Sequence, residues 1–298
     1  MSSPLEAVAR LAMQLGAQHL ADYSSERSRH DFTQRQLMSC LILRAYLKTT
    51  YRGVCSLLEA SDTLRAILGM EHKVPNYSTL QRFSERSQVL QIVDLMLAQI
   101  GAAAVEMEQA KGEVEVAMDA TGMQTGVASA YFNTRRGRDP HGKQTHCIER
   151  RRGWVKLSVS VLCASLIPVA LVMDWGPTND KKQARELLEK TFALVRPQRL
   201  FADAGYDADW IHEECRVQHG VESLIKPASR CKDGSLGGTH RKSMTKEHLH
   251  QRGYGRRWSI ESFFSGLKRT TGSCLLARTD SNLFKEAALR LLAYTIHR

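Results

Sequence analysis

The sequence predicts an α/β protein, a mixed β-sheet flanked by helices and preceded by an all-helical segment. Three observations carry that prediction. Apolar residues recur at helical spacing up to about residue 112. The texture then changes at Lys111-Gly112, and Glu113-Val114-Glu115-Val116-Ala117-Met118 alternates polar and apolar residues as a strand does. Beyond it the order is three or four strands, a helix, a strand, a helix, a strand and terminal helices. The expected organisation is a helical domain over residues 1–112 and an α/β domain over residues 113–298.

The helical segment opens with Leu5 to Leu20, rich in Ala, Leu, Met and Gln. Phe32 to Tyr46 places Leu37, Leu41 and Tyr46 at helical spacing, and Gly53 to Leu58, Leu64 to Leu68 and Val89 to Ala104 continue the pattern. Between them, Val74-Pro75-Asn76-Tyr77-Ser78 supplies a proline stop and a polar cap for a short helix carrying Gln81, Arg82, Glu85 and Arg86. Such a run fits a helix-turn-helix unit or a plain helical bundle equally well.

In the second domain, Gln124 to Phe132 reads as a second strand, followed by a basic loop with Arg135, Arg136, Arg138 and Lys143. Val155 to Cys163 and Leu166 to Met173 read as two more strands. A helix over Asn179 to Val195 is capped by Asn179 or Asp180. Gln198 to Ala202 is a short strand, Asp207 to Gln218 a helix that Asp207 caps, and Glu222 to Lys226 a final strand. Residues 227–253 read as a basic, Gly-rich loop. Helices run from about Tyr254 to Arg269 and from Ser281 onward.

Composition narrows the function. The chain has 298 residues, 43% of them hydrophobic, enough for a real core. No apolar run approaches a membrane span and the N-terminus carries no signal-peptide pattern, so a cytoplasmic, nucleoid-associated protein with no membrane partner is expected. Seven scattered cysteines fit reduced thiols. Net charge is +11 and clustered: Lys226 to Arg298 holds 15 Lys/Arg against 5 Asp/Glu, and Thr134 to Lys156 holds 8 against 2. Basic surfaces on a mildly acidic background point to a polyanion, most simply nucleic acid.

Three carboxylates stand out. Asp119 ends the first strand, on the face opposite Met118, where the chain turns at Ala120-Thr121-Gly122. Asp203 follows the apolar strand Leu200-Phe201-Ala202, and both therefore sit at strand ends where ligands gather in α/β sheets. Glu261 belongs to a fourfold spacing, Tyr254, Arg257, Glu261 and Lys268. At 100° per residue these fall at about 0°, 300°, 340° and 320°, a narrow stripe. Ile260, Phe263, Phe264 and Leu267 fall beside it at about 180° to 280°, an anchoring face. Together Asp119, Asp203 and Glu261 make an all-oxygen site suited to Mg²⁺, with Mn²⁺ substituting. In-line displacement at a phosphodiester uses two such ions roughly 4 Å apart, and several carboxylates are needed to hold them.

The strand end Val116-Ala117-Met118-Asp119-Ala120-Thr121-Gly122, the turn Phe201-Ala202-Asp203-Ala204-Gly205-Tyr206-Asp207 and the Tyr254-Arg257-Glu261-Lys268 signature resemble the DDE transposases of prokaryotic insertion sequences, in the branch marked by that Tyr-Arg-Glu-Lys spacing. The phrase Val74-Pro75-Asn76-Tyr77-Ser78-Thr79-Leu80-Gln81-Arg82-Phe83 is similar to that family's helical domain. The resemblance implies an RNase-H-like fold, a Mg²⁺-dependent triad of Asp119, Asp203 and Glu261, and cleavage then joining of DNA at an element's ends. It implies phosphate contacts from Tyr254, Arg257 and Lys268. Arg256, Arg269, Arg135, Arg136 and Arg151 are further candidate DNA contacts. Terminal inverted repeats and target DNA are the expected partners, and cutting two ends together implies a homodimer on DNA. A nuclease that cuts without joining and a non-catalytic DNA-binding protein are the alternatives. Some relatives carry a long β-rich insertion between the second Asp and the Glu, whereas Asp203 to Glu261 is here mostly loop.

Weaker signals take plainer readings. Asp174 reads as turn chemistry at a strand end and Asp180 as a helix cap. Asp207 and Asp209 fall in the next helix. Trp175 and Trp258 read as packing residues, and Cys40, Cys55 and Cys163 as core. Cys215, His219, Cys231, His240, His248 and His250 match no compact zinc-finger spacing.

Overall fold

A computed structural model describes residues 3–125, 154–228 and 236–298. The N-terminal segment is helical as expected: α1 (Pro4–His19), α2 (Gln34–Tyr46), α3 (Tyr51–Ala60), α4 (Asp62–Leu68), α5 (Tyr77–Glu85) and α6 (Gln88–Gln109). Local chemistry sets the starts. Ser3, Thr33, Thr50, Ser61 and Asn76 each accept a first-turn N–H, and Thr33 with Gln36 forms a reciprocal capping box. Helix α6 is long and apolar enough to cross a membrane by length and composition, which corrects the expectation that no run approaches a span. Val89, Ile92, Val93 and Met96 are buried, while Asp94 and Gln91 punctuate the helix, the pattern of a core helix.

Among the described residues six strands follow: β1 (Glu115–Thr125), β2 (Trp154–Leu162), β3 (Pro168–Gly176), β4 (Arg199–Ala202), β5 (Glu222–Ile225) and β6 (Cys274–Leu275). The sheet order is β3-β2-β1-β4-β5, with β6 pairing the far end of β1. Strands β1, β4 and β5 are parallel and β2 and β3 antiparallel, so the sheet is mixed. Among the described residues, the remaining α-helices are α7 (Asp180–Leu194), α8 (Asp209–Glu213), α9 (Lys246–Gln251), α10 (Trp258–Thr271) and α11 (Asp280–His297). A mixed sheet flanked by helices behind a helical region is the RNase-H-like α/β architecture the resemblance implied.

Contacts group the chain into two compact units that interleave along the sequence. One takes residues up to Leu97 and resumes from Leu267, so α11 groups with the N-terminal helices. It packs against α2, whose Leu37 to Ala45 face is buried. The other runs from Ala98 to Met123 and resumes with β2 as far as Gly266. In that unit, Met118, Leu200, Ala202, Tyr206 and Ile211 pack with Leu187, Leu188 and Phe192 of α7. A second cluster joins Ala104 and Val105 of α6 to Val114, Val116, Leu162 and Val169. Strand β2 is buried from Val155 to Leu162, including two serines. Ser158 donates to Gln183 Oε1 (2.5 Å) and Ser160 accepts from Thr191 (2.8 Å), so α7 satisfies the hydroxyls that a central strand hides.

Several boundaries differ from the sequence reading. β1 does not end at Asp119 but continues through Thr125, because its first half pairs β4 and its last residues pair β6. The expected strand over Gln124 to Phe132 is the end of β1, and residues 126–132 lie outside the described residues. β3 likewise continues past Asp174. The helix expected from Asp207 starts at Asp209 and gives way to a π-helical turn over Glu214–Gln218. The basic loop contains α9, capped by Thr245. The helix expected from Tyr254 begins at Trp258, after a 3₁₀ turn over Tyr254–Arg257 that Gly253 introduces with φ 74°.

Candidate active site

The parallel ladder between β1 and β4 runs Glu115↔Arg199, Val116↔Leu200, Ala117↔Phe201 and Met118↔Ala202. The next residues in line are Asp119 and Asp203. Neighbouring strands lie about 4.8 Å apart, so this register sets two carboxylates side by side where the ladder ends. Asp119 Oδ1 accepts from Ala120 N (2.7 Å), and Asp203 Oδ1 accepts from Gly205 N (2.7 Å), capping a 3₁₀ turn over Ala204–Tyr206. Burial pushes the Asp119 carboxyl up to about 6, and the charges of Asp203 and Asp180 push the same way. The Ala120 N–H and Arg257 oppose the shift without cancelling it.

Glu261 stands in the first turn of α10, where a carboxylate suits the helix dipole. Arg257 sits just before that helix and reaches two of the acids. Its Nη1 lies 3.5 Å from Asp119 Oδ2 and its Nη2 pairs with Glu261 Oε1. The 3₁₀ turn alters the expected stripe, since Tyr254 and Arg257 precede the α-helix that carries Glu261 and Lys268. Tyr254 turns toward the sheet: its hydroxyl donates to Ala202 O (2.8 Å), at the last residue of β4. Burial lifts that phenol to about 12, so it remains a donor. Arg256 pairs with the buried Glu115 (2.5 Å), which also takes Arg199 (2.8 Å). Lys268 and Arg269 lie further along α10, past the point where the chain enters the other unit. Arg135, Arg136 and Arg151 lie outside the described residues.

Asp180, expected as a helix cap, has a different role. Asn179 does the capping, accepting from Lys181 N (3.0 Å), and leaves Asp180 free for another partner. That partner is Lys156, whose Nζ meets Asp180 Oδ1 at 2.5 Å with the lysine side chain only 7% exposed. The signal was Lys156 itself: one cation in an otherwise uncharged, buried strand needs a counter-charge.

Other residues take structural roles. Asp207 receives Arg241 through two hydrogen bonds of 2.6 Å and the Ala228 N–H at 2.9 Å. Burial alone would raise its carboxyl, and these donors together hold it below the ordinary range. Asp209 accepts from the N–H groups of Thr239, His240 and Arg241. The two acids therefore strap down part of the basic loop rather than cap a helix. Trp258 is 67% exposed, so it is not the packing residue expected, and Cys163 is half-buried rather than core.

The donors in the site are oxygens, the kind a hard divalent cation takes, and the electrostatic crowding at Asp119 is the kind such a cation relieves. As the side chains stand, no three His, Cys, Asp or Glu converge to hold an ion among the described residues. Arg257 holds Glu261 and Lys156 holds Asp180. Cys231 lies outside the described residues.

A family model described as a transposase DDE domain matches residues 110–296, a span that contains all three predicted acids. No curated protein matches the chain.

Proposed function

The chain belongs to the transposase DDE-domain family, and from that premise we propose that it hydrolyses a phosphodiester at each transposon end and joins the freed end to target DNA. Asp119, Asp203 and Glu261 are the acids that hold its divalent cations, Mg²⁺ with Mn²⁺ as substitute. The observation that carries this reading is the β1/β4 register, which continues into Asp119 beside Asp203, with Arg257 linking Asp119 to Glu261.

When bound, such a cation supplies Lewis-acid stabilisation of the charge that develops on the attacking and leaving oxygens. The rest falls to the chain. With a pKa near 6, Asp119 is ionised at neutral pH and presents its negative charge beside that of Asp203. In the first step water adds to phosphorus and the P–O3′ bond breaks, leaving a 3′-hydroxyl and a 5′-phosphate. In the second, that 3′-oxygen attacks a target phosphodiester, loses its proton and displaces the target's own 3′-oxygen. No covalent enzyme–DNA intermediate is involved, so no Ser or Tyr nucleophile is assigned. Arg257, Lys268, Arg256 and Arg269 receive phosphates, as do Arg135, Arg136 and Arg151. Tyr254 follows the Tyr-Arg-Glu-Lys branch pattern, its hydroxyl given in this conformation to Ala202. Two ends cut together imply a homodimer on DNA, with residues 1–112 serving DNA binding or dimerisation.

The test is end cleavage with Mg²⁺ or Mn²⁺ by wild type and Glu261→Gln. The variant should lose cleavage and joining together. Full activity in Glu261→Gln would remove the assignment.

A further inference from the structure

Asp180 is held in place from two sides. Its Oδ1 is fixed by Lys156, which also donates to Thr178 O (2.5 Å) and is buried on β2. On the other side stands Gly205, between Asp180 and Asp203. A Cβ at residue 205 would lie 2.9 Å from Asp203 Oδ1 and closer still to Asp180 Oδ2. Gly205 has no left-handed backbone to explain it. Its missing side chain is what lets the two carboxylates approach the same turn. No hydrogen bond engages Asp180 Oδ2 among the described residues.

A second observation points to a ligand there. Tyr206 is completely buried, and its hydroxyl has no hydrogen-bond partner. The Ser158 oxygen, whose own hydrogen goes to Gln183, lies near the phenol and bears on it without closing a hydrogen bond. Burial, and after it the charges of Asp180, Asp119 and Asp203, raise this phenol well above its ordinary value. Gln183, one turn along α7 from Asp180, also buries an amide nitrogen without an acceptor. Two buried donors without acceptors beside anionic side chains lack an oxygen, such as the water a hydrated cation brings with it.

We propose that Asp180 is a fourth carboxylate of the acidic site, holding a divalent cation together with Asp203, and that Lys156 is the positioning residue that fixes its orientation. This rests on the reading of Asp119, Asp203 and Glu261 as cation-holding acids. The ammonium of Lys156 occupies one oxygen of Asp180 and leaves the other for the ion. Gly205 keeps that oxygen and the Asp203 carboxylate on one side of the turn.

Mn²⁺ binding to the full chain without DNA, followed by electron paramagnetic resonance and by the Mn²⁺-induced rise in unfolding temperature, separates the possibilities. Wild type is compared with Asp119→Asn, Asp180→Asn and the double variant Lys156→Met/Asp180→Asn. The double variant removes both members of the ion pair, so it does not depend on an unpaired buried lysine being tolerated. Both Asp180 variants should bind Mn²⁺ about tenfold more weakly or with fewer ions, and the Mn²⁺-induced temperature rise should shrink, an effect that a purely structural role would not produce. If Asp119→Asn weakens binding while the double variant binds within twofold of wild type, the assignment of Asp180 falls and the three-acid reading stands. If Asp119→Asn binds as wild type does, the three-acid reading falls and takes Asp180 with it.

Discussion

A carboxylate buried beside another carboxylate is held in the fold against its own solvation, and Asp119 is such a group. Its raised pKa means that, between the ordinary carboxylate value and about 6, the native state binds a proton more tightly than the unfolded chain. Stability contributed by this residue therefore falls as pH rises through that window, and the cost is fully present at pH 7. Asp119→Asn removes it and forfeits part of the Arg257 contact. The variant should be about 2 kcal/mol more stable than wild type near pH 7, with the gain gone near pH 4. Urea midpoints at the two pH values measure this, and an equal gain at both would show that the field around Asp119 is not the cause. The residue was legible in the sequence because a strand pattern ended in it. Asp180 was not, because an acid after Asn179 reads first as a cap. Only the pairing with Lys156, two elements away in the sequence, sets the two roles apart.

Elements were read well where their period is strong and poorly where glycine interrupts them. The apolar run of β2 and the Asn179 cap of α7 stand where the sequence put them. The approach to α10 does not, because Gly253 and Gly255 flank Tyr254 and favour a tighter turn than the helical stripe assumed. That turn is tied to β4 by the Tyr254 hydroxyl, so Tyr254→Phe should cost about 1 kcal/mol of stability. Its effect should appear in amide exchange at Gly255 to Arg257 before it appears in the core. Unchanged exchange there would mean that the bond to Ala202 does not hold the turn. The length of β1 was hidden for a related reason: Gly122 looks like a turn signal, yet it continues the strand beneath the Trp154 ring, which packs where a Cβ would stand.

For the molecule as a whole, charge is the feature most directly readable from composition, and its distribution is modified by the fold. Of the basic residues near the C-terminal end, Arg241 is neutralised by Asp207 and Arg252 by Glu222, and Arg256, a proposed phosphate contact, already shares its charge with Glu115. The net +11 therefore overstates what is offered to DNA. Lys268 is a candidate phosphate contact, so Lys268→Ala should weaken binding to specific and unrelated duplexes alike. It should also lower the slope of log affinity against log salt by about one. A loss confined to one sequence, or an unchanged slope, would argue against a phosphate contact. The grouping of α11 with the N-terminal helices had no local signal at all, since periodicity reports a buried face but not what covers it.

That last grouping governs how the chain is made. Tyr46 of α2 and His297 of α11 touch across 251 residues of sequence. During synthesis α2 leaves the ribosome before α11, one of the helices that cover it, has been translated. The unit translated first is thus among the last to close, and its buried surface must stay soluble, or be sheltered by a chaperone, until α11 emerges.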